Sequence, residues 1–320
     1  MARLGANVYY NPGENIGTTT YPINLNGAPW RIVDVDFHTY SWEPNAVDRQ
    51  IGSVIKQFDR PAAEITMTIQ YVGSASAQRE NYDILHDFFQ RSIGWKKPGR
   101  LVWGMPQWDY DPYGDGGEAW YIECYAIESE TAAAYSAMAT NQITFYCPYP
   151  QWIRRKIHSF SGTGTLSESS FLDFAYEFDY DFRNSVYGAG SLYNNSPFPA
   201  DFIMVMGSAP DQGYRFKTVE NPRVWINDHE YGITGTLSPI YEDRAYRERI
   251  TINSLQKTVT HWSDLDDKTV DWFDRRGKRQ SVFAKIPSGY STVAWSGDFV
   301  TTIYLYEERS EPPWTQILDN

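Results

Sequence analysis

Residues 289–306 read GYSTVAWSGDFVTTIYLY, two short runs of β-branched and aromatic residues, Val293-Ala294-Trp295 and Val300-Thr301-Thr302-Ile303-Tyr304-Leu305-Tyr306, parted by Gly297. Runs of this composition and length, bounded by glycine, are strands. The same punctuation extends backwards through Phe202–Met206, Arg223–Asn227 and Glu248–Asn253, with turns at Pro222, Asp228, Gly232, Gly235, Pro287 and Gly289. Several short strands at this spacing predict a β-sandwich over 191–320. The tail Glu311-Pro312-Pro313-Trp314 must leave any sheet, because two prolines cannot continue a ladder, and Trp314 is expected to pack on a neighbouring surface.

Upstream, residues 1–153 predict an α+β domain dominated by strands. Trp30–Phe37 follows the turn Asn24-Leu25-Asn26-Gly27, and Ala63–Val72 alternates cleanly. One helix is expected over Ser76–Ile93, with Tyr82, Leu85, Phe89 and Ile93 as its apolar stripe, Ser76 as cap and Gly94 ending it. Trp120–Ile127 and Gln142–Cys147 are further strands, and Pro148-Tyr149-Pro150-Gln151-Trp152 closes the block.

Between these blocks, residues 154–190 read as a linker: a Ser/Gly/Thr stretch, Ser159–Ser170, then an aromatic ribbon. In that ribbon Leu172, Phe174, Tyr176, Phe178, Tyr180 and Phe182 point one way, and Asp173, Ala175, Glu177, Asp179 and Asp181 the other. At ~3.3 Å per residue the ribbon is about 36 Å long. Its apolar face needs a partner surface, in its own domain or on another subunit. Those six residues, with Trp314, are the candidate packing residues of a link between domains or subunits. This directs attention to assembly rather than reaction.

Composition narrows the function. The chain has 320 residues, with 28 Lys and Arg against 40 Asp and Glu, a net charge of −12. A surface of that sign repels nucleic acid and anionic lipid, yet suits a wall past which DNA slides without sticking. No run reaches membrane-spanning length, and the N-terminus MARLGANVYYNPG lacks the apolar core of a signal peptide. A chain made in the cytoplasm of its cell is expected, with no membrane partner. Cys124 falls on the face of Trp120, Ile122 and Ala126, and Cys147 on that of Ile143 and Phe145. Two buried thiols are expected rather than a disulfide.

Catalytic patterns are missing from the sequence. His38, His86, His158, His229 and His261 show no metal-ligand spacing, and there is no H-E-x-x-H, G-x-S-x-G, P-loop or kinase signature. In WDYDPYGDGGE, Asp109, Asp111 and Gly114 match calcium-loop positions, but Tyr113 and Trp120 occupy two others, so a solvated acidic loop is expected. The ribbon carboxylates stand side by side, ~6.6 Å apart, rather than flanking a bond as glycoside hydrolysis requires. Neither an enzyme nor a cofactor is expected, and no metal ligand is nominated.

Three segments resemble the distal tail proteins of siphophages: Asn221–Asp228 (NPRVWIND), Glu248–Ser254 (ERITINS), and Ser281–Gly297 (SVFAKIPSGYSTVAWSG) leading into Thr301–Trp314 (TTIYLYEERSEPPW). FDYDF at Phe178–Phe182, the Leu-Asn-Gly turn, and the helix ending YDILHDFF at Phe89 fit the same family, in the same order. The resemblance implies an N-terminal belt domain, usually six copies of which form a ring below the tail tube, and a C-terminal galectin-like sandwich outside the ring. It further implies a ring that joins the tube protein to the tail-tip hub protein, carries receptor-binding or fibre proteins in some phages, and passes DNA through its lumen, in the virion's tail tip. The galectin likeness raises an alternative, a carbohydrate-binding tail-tip module for host cell-wall glycans. Asn221-Pro222-Arg223 and Glu307-Glu308-Arg309 echo galectin sugar-binding residues, although Val219 stands where a galectin has His.

Overall fold

The computed structural model describes residues 7–12, 22–37, 42–104, 119–133, 139–160, 188–207, 219–237, 248–263, 266–297 and 299–312. They fall into two compact units, Met1–Arg154 with Glu308–Asn320, and Arg155–Glu307. The fold is mainly β, with one α-helix among the described residues. The ribbon Leu172–Phe182, Trp314 and the acidic loop Asp109–Glu118 lie outside the described residues.

The first unit contains β1 (Val8–Asn11), β2 (Ile23–Asn24), β3 (Trp30–Asp36), β4 (Glu43–Asp48), β5 (Ser53–Asp59), β6 (Ala63–Tyr71), α1 (Ala75–Trp95), β7 (Gly99–Trp103), β8 (Trp120–Ala133), β9 (Thr140–Cys147) and the start of β10 (Trp152–Phe160). Strand β8 is long enough to serve two antiparallel ladders. Its first residues pair with β7, Trp120 against Trp103 and Cys124 against Gly99, and β7 continues to β1 and β2. Its later residues pair with β9, which continues to β6 and β3. Alternation explains why these strands form: in β6, Ile65, Met67, Ile69 and Tyr71 are buried while Glu64 is exposed.

Helix α1 covers this core with Leu85, Phe88 and Phe89. Its cap is Ser74, whose Oγ accepts from the Ala77 amide at 3.4 Å, not the expected Ser76. It ends on Lys96 in the left-handed region (φ 55°), so Gly94 is inside it. The buried stripe runs through Leu85, Phe88, Phe89 and Ser92, and Ile93, expected on it, is 47% exposed. The polar Ser92 hides this face from a reading of apolar positions alone. Its Oγ donates to the Phe89 carbonyl at 3.0 Å and accepts from the Tyr10 hydroxyl at 3.1 Å. Cys124 and Cys147 are buried free thiols, as expected.

Strand β10 passes through residues read from the sequence as linker. Arg154 and Arg155 obscure its pattern, but each guanidinium lies over an aromatic ring, Arg154 over Trp120 and Arg155 over Tyr304, both at 4.8 Å. Long cationic side chains can therefore line a strand as covering groups.

The second unit holds the rest of β10, then β11 (Gly188–Asn194), β12 (Asp201–Gly207), β13 (Val219–Glu220), β14 (Arg223–Ile226), β15 (His229–Gly232), β16 (Thr236–Leu237), β17 (Glu248–Asn253), β18 (Thr258–Ser263), β19 (Lys268–Asp271), β20 (Gly289–Trp295) and most of β21 (Val300–Arg309). Strands β19-β18-β17-β12-β21 form one antiparallel ladder and β11-β20-β14-β15 a second. Phe202, Met204, Ile250, Ile252, Ile303 and Leu305 from the first share a core with Leu192, Val224, Ile226, Tyr231, Val293 and Trp295 from the second. This is a sandwich, the class expected. Two glycines of β11 make room for its large rings. A Cβ on Gly188 would overlap the Trp295 indole, its register partner, and one on Gly190 would stand 2.7 Å from the Phe160 ring.

Buried phenols make the fold sensitive to alkali. Burial pushes Tyr71 up to about 12, and raises Tyr10 and Tyr231 as well. Each folded-state value lies above the unfolded one near 10, so the unfolded chain loses its protons first. Stability is full below pH ~10 and falls as pH rises through the folded values, by about 1.4 kcal/mol per pH unit for each such tyrosine. Urea titrations from pH 9 to 12 should show that decline, shallower in Tyr71→Phe. An unchanged slope in that variant would contradict the assignment.

Candidate assembly surface

Strands β4 and β5 form a hairpin that the sequence reading did not single out. All thirteen strand residues are exposed, and within the described residues the two strands pair with each other alone. The turn closes through an Arg49 amide to Gly52 carbonyl bond of 2.8 Å, with Gly52 at φ 74°, where glycine is favoured. At the tip Ile51 is 94% exposed, and Val47, Val54, Ile55 and Phe58 are each at least 40% exposed.

Register decides which of these side chains share a face. Asn45 opposes Gln57 but Ala46 opposes Ile55, so Lys56 is the extra residue of a bulge. The bulge shifts the parity of β5. Ile55 and Phe58, three apart, thereby join Ala46 and Pro44 on one face, while Val47 and Val54 lie on the other. Strict alternation is lost in SVIKQFD, and with it the signal by which a strand is read.

The root of the hairpin is anchored firmly. The Arg60 guanidinium lies 4.4 Å over the Trp42 ring and 3.1 Å from a Glu308 oxygen, which also accepts from the Tyr149 hydroxyl at 2.8 Å. Arg60 and Glu308 are 17% and 7% exposed, so this pair is shielded from solvent. Beyond an edge contact of Phe58 with the Trp42 ring, centroids 6.5 Å apart, the projecting part has no such support among the described residues. A lone two-stranded ribbon is at best marginally stable in water, and its unpaired outer edges and apolar faces are what another chain pairs with and covers. Geometry thus makes β4–β5 a candidate surface for association.

Elsewhere the described residues offer little for chemistry. Glu307 is buried and accepts from the Asn195 amide at 3.0 Å, and Glu308 is committed to Arg60 and Tyr149. The Asn221 side-chain oxygen accepts from the Gly235 amide at 3.1 Å. The galectin-like residues Asn221, Glu307 and Glu308 are therefore used in internal bonds. His86 stacks on Tyr82 and His261 on Trp272, and burial holds His158 and His261 below the usual imidazole range. Among the described residues no cluster of His, Cys, Asp and Glu is placed to hold a metal ion, and no helix is long and apolar enough to cross a membrane.

No protein-family model and no curated protein sequence matches the chain. Solved structures do. The crystal structure of the Dit protein of phage SPP1, described as a paradigm of hub adsorption apparatus in phages infecting Gram-positive hosts, superposes with a TM-score of 0.59 at 9% identity, over 95% of this chain and 99% of that one. The fold is the Dit fold. Two structures of the phage P2 baseplate in its activated conformation, with Ca and with Sr, each contain a chain that matches at 12% identity over 96% of this chain and 99% of theirs, with TM-scores of 0.54 and 0.53. The Dit fold therefore spans nearly the whole of this sequence, although so few residues are shared.

Proposed function

We propose that this chain is a structural subunit of a phage tail tip, a distal tail protein. Copies of the first unit associate through the β4–β5 hairpin into a ring of six. The ring joins the tail tube protein to the tail-tip hub protein and leaves a lumen for DNA. Receptor-binding or fibre proteins attach to it, and its work is mechanical rather than enzymatic. The observation that carries this reading is the likeness in fold to SPP1 Dit from end to end, 99% of that chain. Two further observations support it. An exposed apolar hairpin held only at its root among the described residues suits an obligate neighbour. The excess of 40 acidic over 28 basic residues suits a wall that must not retain DNA.

Light scattering on the purified full-length protein, together with negative-stain imaging, tests the proposal. Rings with a central opening, and labelling of the tail tip by antibodies against the protein, are expected. A strictly monomeric protein absent from purified tails would overturn it.

A further inference from the structure

The second unit carries a polar cleft unlike the rest of this acidic chain. It consists of two adjoining hollows of about 400 and 510 Å³ that share Asn221, Thr234, Gly277 and Lys278. Five cations line them, Arg223, Arg275, Arg276, Lys278 and Arg279, against three carboxylates, Glu220, Glu230 and Asp274. On a chain of net charge −12 this is a local reversal of sign.

The walls are held before any ligand arrives. The Asn221 amide donates to the Gly235 carbonyl at 2.7 Å, Thr234 to Arg275 at 2.7 Å, and Gly277 to Gly232 at 2.7 Å, so three segments are tied by backbone bonds. Arg275 lies 4.3 Å over Trp272, and Arg276 lies 3.8 Å over Phe273 while donating to its carbonyl at 2.6 Å. Gln280 accepts from the Glu230 amide through its side-chain oxygen at 2.6 Å, which leaves its NH2 as a donor. Among the described residues Lys278 and Arg279 have no ion-pair partner, and both are exposed.

From this we infer that the cleft binds a phosphate-bearing polyol or glycan chain. The unpaired cations suit phosphate oxygens. Thr234, the carboxylates and the side-chain amides suit hydroxyl groups, which a sugar or polyol supplies and a DNA backbone does not. Among the described residues no aromatic side chain lines either hollow, so the walls described offer none of the stacking that holds neutral sugars or single-stranded nucleic acid. Two adjoining hollows, each within the usual range for ligand sites, match consecutive repeats of a polymer better than one small ion. The inference concerns the second unit alone and does not depend on ring formation.

Poly(glycerol phosphate), dextran, inorganic phosphate and single-stranded DNA serve as probes in calorimetry and pull-down with the full-length protein. Binding of poly(glycerol phosphate), weakening with salt, is expected. It should fall at least tenfold in Lys278→Glu/Arg279→Glu and remain in Lys257→Glu/Lys268→Glu, which changes charge equally at exposed positions outside the cleft. Three results would overturn the inference: no binding of the polymer, equal binding of DNA or inorganic phosphate at matched phosphate concentration, or equal loss in both double variants. Retained binding by a hairpin variant that no longer forms rings would separate this site from assembly.

Discussion

Ile55→Asp/Phe58→Asp will leave the subunit folded and abolish its self-association. Both side chains are exposed, 49% and 55%, and Phe58 gives up only an edge contact with the Trp42 ring at 6.5 Å, so the folded subunit loses little when they change. Surface substitutions of this kind usually move stability by no more than about 0.5 kcal/mol. In an interface, by contrast, a buried apolar anchor is worth about 2 kcal/mol or more, roughly thirtyfold in affinity at each position. Here a carboxylate would also be taken out of water without a partner. The two residues share a face because of the bulge at Lys56, so the double variant removes one contiguous patch. Size-exclusion chromatography with light scattering should show rings for the parent protein and monomers for the variant, with overlapping thermal melts. Normal rings from the variant would remove the hairpin from the interface.

The second large effect is expected in the core. Tyr10 is fully buried, its ring centred 4.9 Å from Phe89, 5.6 Å from Phe145 and 6.2 Å from Phe88. It therefore connects β1 to α1 and β9 at one point. Gly99 lies against its hydroxyl with no room for a Cβ, which shows how tightly the site is filled. Tyr10→Ala should cost about 3–5 kcal/mol, because the cavity adds to the lost transfer energy. For a unit of this size that lowers the midpoint by roughly 6–20 °C. Tyr10→Phe keeps the ring and loses one hydrogen bond, about 0.5–1.5 kcal/mol. Ser92 still donates to the Phe89 carbonyl in that variant, which limits the loss. Calorimetry on the pair separates packing from hydrogen bonding, and equal losses in the two variants would contradict this division.

Legibility in the sequence followed burial. Strands such as β6, β9 and β21 alternate because one face meets a core, and their pattern is visible in the residue order. The helix was legible for the same reason, though Ser92 on its buried face shifted the inferred stripe by about one residue. The hairpin was not, because it has no buried face among the described residues and a bulge that breaks alternation. Strand β10 was hidden by Arg154 and Arg155, whose contact with Trp120 and Tyr304 has no periodic signature. The basic cleft gathers the run Arg275–Arg279 with Arg223, 52 residues before Arg275, and only folding brings them to one place. The run RRGKR in an acidic chain was the available signal.

Burial of the two cysteines has a practical consequence. Cys124 and Cys147 are enclosed, and burial beside Cys147 raises the Cys124 thiol well above the usual range, so it resists becoming the reactive thiolate. The native protein is therefore chemically silent toward maleimides. A cysteine placed at Ile51 would be the single address at which a dye or cross-linker attaches, and the hairpin tip could be followed in solution against a dark background.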